Sequence, residues 1–150
     1  MRRRLKLLTI LFAAVLLLPM TAHAQSGLNI NALFEGKVVR QKQMVETRVK
    51  GKMLSKYRLT YFRSVRFEGT KREIERVHQL VELDRRTSAA QSAENWFDRE
   101  SHSKETLMMQ LSPKDGQNRF LSYRRNGNMV TVVYMEGALD SFDALKEILK

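Results

Sequence analysis

Apolar and polar residues alternate most clearly in the last third of the chain, where two β-rich runs flank Asn126-Gly127. Asn and Gly both tolerate φ > 0, which a type I′ hairpin turn requires at its two central positions. A turn at those residues sets Arg125 opposite Asn128, Tyr123 opposite Val130, Leu121 opposite Val132 and Arg119 opposite Tyr134. One face then carries Leu121, Tyr123, Val130, Val132 and Tyr134 and reads as core. The other carries Phe120, Ser122, Arg124, Met129, Thr131 and Val133 and reads as mixed and partly solvated.

Upstream, residues 44–50 have strand pattern and are turned by Gly51-Lys52. Residues 57–67 continue with period two, broken only by Phe62 and Arg63, and their odd face (Tyr57, Leu59, Tyr61, Val65, Phe67) is expected to meet the core. Thr70 to Glu73 has capping-box spacing and opens a helix over 71–90, with Ile74, Val77, Leu80 and Val81 as its buried stripe and Glu82 set to pair with Arg86. Residues 88–104 read as that helix fraying into a loop, with Trp96 or Phe97 against the sheet edge. Strand pattern resumes over 106–111, and 113–116 turns into the hairpin. Asp140 or Ser141 caps a last helix carrying Phe142, Leu145, Ile148 and Leu149 on one side. Ahead of all this, Leu28, Ile30, Leu33 and Phe34 suggest a short helical turn, capped by Asn29 or Asn31, that docks on the core. The elements sum to an α+β fold of order ββαβββα: a mostly antiparallel sheet of about five strands, with helices covering one face.

The first 24 residues stand apart from this pattern. Arg2, Arg3, Arg4 and Lys6 precede an apolar run over 7–18, and Ala22-His23-Ala24 offers a small-x-small cleavage site. That layout is a secretory signal peptide cleaved after Ala24, leaving one domain over 25–150, soluble in the periplasm. A retained anchor is the alternative, but the run is short for a bilayer. Removing the four leader cations lowers the formal net charge from +11 to +7, so much of the basicity belongs to targeting. There are no cysteines, hence no disulfide in a compartment that permits them.

Candidate chemistry is thin. Outside the leader the histidines are His78 and His102, short of a closed metal ligand set, and His78 reads first as a boundary residue beside the helix stripe. Neither a Gly-x-Ser-x-Gly elbow nor a phosphate-binding glycine loop occurs. A Ser-His-Asp site from Ser101 or Ser103, His102 and Asp98 would require near neighbours in one loop to adopt triad geometry. No cofactor is implied. Arginines and aromatics are better represented: Arg58, Phe62, Arg66, Phe120 and Arg124 are expected on one sheet face, with Arg48, Lys50, Lys52 and Lys56 nearby. Such a face suits carboxylates or phosphates through charge-assisted hydrogen bonds and stacking, although solvated strands also need cations to protect their edges. Phe62 itself would form an apolar contact patch, or lie beneath the 28–34 segment or a helix.

Three blocks carry a resemblance: Tyr57-Arg-Leu-Thr-Tyr-Phe-Arg-Ser-Val-Arg-Phe67, Asn118-Arg-Phe-Leu-Ser-Tyr-Arg-Arg125, and Val130-Thr-Val-Val-Tyr-Met-Glu-Gly137 followed by the last helix. Together they resemble a family of small exported proteins of unknown function found in the Bacteroidetes. The resemblance implies a compartment and a fold, but no activity and no site residues. The expected function is a non-catalytic binding module using the Arg/aromatic face. Its partner would be an acidic glycan, a lipid headgroup or an acidic protein surface, since export argues against nucleic acid. The competing expectation is a small hydrolase centred on His78 or His102, which demands a pocket and a second polar group within reach of one imidazole.

Overall fold

The computed structural model describes residues 27–87, 90–96 and 103–149. Residues 1–26, Phe97, Asp98, Ser101 and His102 lie outside these residues, as does the side chain of Trp96. The elements are α1 (Asn31–Phe34), β1 (Val45–Lys50), β2 (Leu59–Glu68), α2 (Lys71–Arg86), β3 (Ala90–Trp96), β4 (Lys104–Lys114), β5 (Gln117–Asn126), β6 (Met129–Gly137) and α3 (Phe142–Leu149), with 3-10 turns at Gln41–Gln43 and Lys52–Tyr57. The strands form one sheet in the order β1-β2-β6-β5-β4-β3, antiparallel at every pairing. This is the expected α+β class. Five strands coincide with those expected, and β3 adds a sixth at the edge beside β4, where residues 88–104 read as a loop.

The connection from β2 to β3 crosses the sheet. Four strand spacings, about 19 Å, separate them, and the 16 residues of α2 make a helix about 24 Å long. Its start is the expected capping box: the Glu73 amide donates to Thr70 Oγ1 at 3.3 Å and the Thr70 amide donates to Glu73 Oε2 at 2.8 Å. The helix stops at Arg86, earlier than its pattern suggested, because residue 90 already belongs to a strand. Glu82 lies 3.8 Å from Arg86, but its tighter partner is Arg85, at 2.7 Å.

Both sheet faces carry core. On the first, Ile74, Val77, Leu80 and Val81 of α2 pack with Leu28, Ile30, Leu33 and Phe34 over Tyr61, Val65, Phe67, Leu121, Tyr123, Val130, Val132 and Tyr134. Arg63, out of place in an apolar row, is satisfied there. Nε donates to Glu46 at 2.7 Å, Nη2 donates to the Phe34 carbonyl at 3.0 Å, and the guanidinium lies over the Phe34 ring. The second face, expected to be mixed and partly solvated, is half covered. Leu145 of α3, Leu139 and Leu54 pack with Leu59, Phe120, Val133 and Met135, and Phe62 lies against them. Helices therefore occupy both faces rather than one, and Phe62 is covered from the C-terminal side rather than by the 28–34 segment. Leu59 joins this second cluster because a register irregularity between Leu59 and Tyr61 takes it out of the odd row, and Tyr57 stands in the 3-10 turn, exposed.

The hairpin turns one residue later than expected. Asn126 pairs with Met129, Tyr123 with Val132 and Leu121 with Tyr134. Gly127 (φ +62) is thus the first central residue and Asn128 the second. A positive φ at the first position alone is the type II′ pattern. Moving the turn by one residue shifts partners by two, so each side chain keeps its face and the core row survives. A true type I′ candidate lies at the other end of β5, where Lys114 pairs with Gln117 around Asp115 (φ +52) and Gly116 (φ +74).

The N-terminal segment is held by one carboxylate. Asp84, on the buried stripe of α2 and 1% exposed, accepts the Asn29 amide (2.7 Å) and Asn29 Nδ2 (2.9 Å) on Oδ1, and the Ile30 amide (2.9 Å) on Oδ2. It does the work of an N-cap for α1, which has no side-chain cap of its own from Asn29 or Asn31.

Candidate functional site

The five expected contact residues do not form one patch. Arg58 caps the 3-10 turn in the left-handed region, φ +58, and its guanidinium faces Asp140 at 3.6 Å. Eight residues of strand rise, about 26 Å, separate it from Arg66. Phe120 is fully buried, and Phe62 is half-buried against the second cluster, so neither presents an open ring for stacking. Arg48 and Lys50 register with Arg63 and Tyr61 and therefore belong to the opposite face. Cations counted together in the sequence are thus divided between two surfaces by the period-two geometry of strands.

What remains is the uncovered half of the second face. Val45, Arg66, Thr131, Arg124 and Thr106 lie in one row across β1, β2, β6, β5 and β4. Arg66 and Arg124 are exposed, flank half-buried Thr131, and have no ion-pair partner among the described residues. One intervening strand sets their Cα atoms roughly 10 Å apart. Beyond them the row ends in Val45, 70% exposed at the edge.

A second concentration of polar side chains lies on the first face, in a cleft of about 420 Å³ between the start of α2 and the sheet. His78 lines it, and its Nε2 lies 3.0 Å from Glu105 Oε1. A carboxylate only accepts, so Nε2 carries the proton. The His78 ring meets the Tyr123 ring edge-on, centroids 6.0 Å apart. The Tyr123 hydroxyl is buried without a hydrogen-bond partner, and burial, helped by the Glu105 charge, pushes it up to about 12. The polar-neighbour condition set for His78 is therefore met. Sequence spacing gave no sign of this pair, because its members stand 27 positions apart with β3 between them. Among the described residues, no group of three or more His, Cys, Asp and Glu is arranged to hold a metal, and no helix is long and apolar enough to cross a membrane.

Comparison with known proteins adds a family and no activity. No curated protein and no solved structure matches the chain. A family model matches residues 17–149, nearly all of the sequence. The chain belongs to that family, whose description is family of unknown function, DUF6108.

Proposed function

We propose that this protein is an exported, non-catalytic binding module, released after leader cleavage at Ala24 as one domain over 25–150. Its contact surface is the open row containing Arg66 and Arg124. The observation that carries the reading is the pairing of two exposed guanidinia, free of ion-pair partners among the described residues, across Thr131. Structural arginines are ordinarily paired, as Arg63 is with Glu46. Two unpaired forks on a rigid sheet suit carboxylate, sulfate or phosphate groups repeated along an acidic glycan, or presented by lipid headgroups or an acidic protein face. Arg58, Phe62 and Phe120 have no part in this narrower surface.

The test is capture of the purified protein by an immobilised acidic glycan and by anionic vesicles, at low and at physiological salt. Binding should weaken steeply with salt and disappear in Arg66→Ala/Arg124→Ala, while Arg58→Ala binds normally. Equal capture by the double variant and the parent refutes the proposal. Hydrolysis at His78 is the second reading, favoured by the His78–Glu105 pair in its cleft. It lacks an activated nucleophile among the cleft side chains, since a phenol pushed up to about 12 stays protonated at neutral pH. Ester hydrolysis lost in His78→Ala would support that reading against the first.

A further inference from the structure

The His78 cleft holds more polar capacity than the fold uses. Buried hydroxyls ordinarily find a partner, and one that does not needs an explanation. The Tyr123 hydroxyl, in the wall of this cleft, has none. Lys71 and Arg125 line the same walls without an ion pair among the described residues. Among the described residues Arg125 uses Nε, donating to the Gly127 carbonyl at 2.8 Å, which leaves its terminal nitrogens as donors. Three donors that lack acceptors thus border one concavity. Its volume, about 420 Å³, falls within the range of small-molecule sites.

Acidic groups narrow the ligand class. Glu75 and Glu105 share the lining, so the two cations are balanced, and a dianion such as phosphate gains little from the site. Glu105 is held by His78. In the neutral imidazole with its proton on Nε2, Nδ1 is an acceptor for a ligand donor, as is the second Glu105 oxygen. We propose that this cleft binds a small monocarboxylate bearing a hydroxyl or amino group, its carboxylate taken by Arg125, Lys71 and the Tyr123 hydroxyl and its donor by the His78–Glu105 pair. The phenol is shut from solvent beside the imidazole, and the His78 side chain is 40% exposed. Within this proposal the ligand reaches the phenol by a transient movement of that ring, after which the His78–Glu105 pair re-forms against the ligand donor. This site lies on the opposite sheet face from Arg66 and Arg124 and stands independently of them.

The test is an NMR titration of the purified protein with lactate and alanine, against acetate and inorganic phosphate. Lactate or alanine should move the His78, Glu105 and Tyr123 resonances saturably, several-fold more tightly than acetate, with phosphate no tighter than acetate. Tyr123→Phe should weaken lactate or alanine about 3- to 10-fold, the range for one hydrogen bond, and Arg125→Gln about tenfold or more, as expected for a charge-assisted contact. Arg66→Ala/Arg124→Ala should leave the titration unchanged, which separates this site from the sheet surface. Tyr123→Phe removes only an unpartnered hydroxyl and should melt no lower than the parent; Arg125→Gln tests the site independently of that variant. Absent shifts, equal response to all four probes, tighter phosphate, or indifference to Arg125→Gln would each overturn the proposal.

Discussion

Asp84→Asn is the most informative single change to the fold. Both Asp84 oxygens accept from Asn29 and Ile30, so every donor facing the carboxylate is an N–H. Asparagine keeps the volume but replaces one acceptor with an NH₂, which confronts an N–H whichever way the amide is turned. Hydrogen bonds to a charged group contribute about 1.5–3 kcal/mol each, and a buried donor left unmade costs about 1–3 kcal/mol. Asn29 is exposed and can turn to water, whereas Ile30 is fully buried, so the larger share falls on the Ile30 amide. The expected loss is about 2–4 kcal/mol, at the high end for a single substitution. Urea denaturation followed by circular dichroism gives the magnitude. Amide exchange gives the location, because protection should fall first at Ile30, Leu33 and Phe34, the segment Asp84 retains. A variant within about 0.5 kcal/mol of the parent, with the Ile30 amide still protected, would refute the capping role.

Two further outcomes follow from the same packing. Burial raises the Glu46 carboxyl, but hydrogen bonds and charge from Arg63 and Arg48 outweigh it and hold the group below its ordinary value of 4.5. Its stabilising contribution is therefore complete above that value and lost as pH falls through the lower folded one. Glu46→Gln should flatten the acid limb of a stability–pH profile, and an unchanged acid limb would refute the linkage. Gly137→Ala should cost roughly 1–3 kcal/mol in denaturant melts, since its Cβ would overlap the Arg58 carbonyl and the Leu59 backbone, and a neutral result would show that this approach relaxes freely.

The legible parts of the fold were those in which one periodicity prevails. The row Leu121, Tyr123, Val130, Val132, Tyr134 was recoverable despite a displaced turn, because face assignment depends on parity and tolerates a two-residue partner shift. The capping box at Thr70 was recoverable because both hydrogen bonds are local in sequence. β3 was not, since Ala90 to Asn95 show no apolar alternation and an edge strand can draw its order from the ladder it joins, here Ala90↔Leu111 to Trp96↔Thr106. Arg63 was visible as a charge on an apolar row, whereas Asp84, which continues the Leu80–Val81 stripe of the helix, was not singled out. Their partners, Glu46 and Phe34 for one, Asn29 and Ile30 for the other, lie 17 to 55 residues away. A misplaced charge in a clean apolar row was therefore the readable signal, and the tertiary contact it served was not.

The same reasoning explains why the basic surface was overdrawn. Composition counts Arg58, Arg66 and Arg124 alike, but α3 and the Lys52–Tyr57 turn cover the half of the second face between Arg58 and the other two. That cover buries Phe120 and lies against Phe62, converting the apparent aromatic partners of a ligand into core. It leaves the end of the sheet bearing Arg66, Thr131 and Arg124 uncovered by α3, while on the first face α2 leaves the His78 cleft beside Arg125. Neighbours on β5, Arg124 and Arg125 point to opposite faces and so belong to two different surfaces. A substitution at one of them should leave the other's ligand untouched, as adjacent residues of a strand allow and adjacent turns of a helix do not.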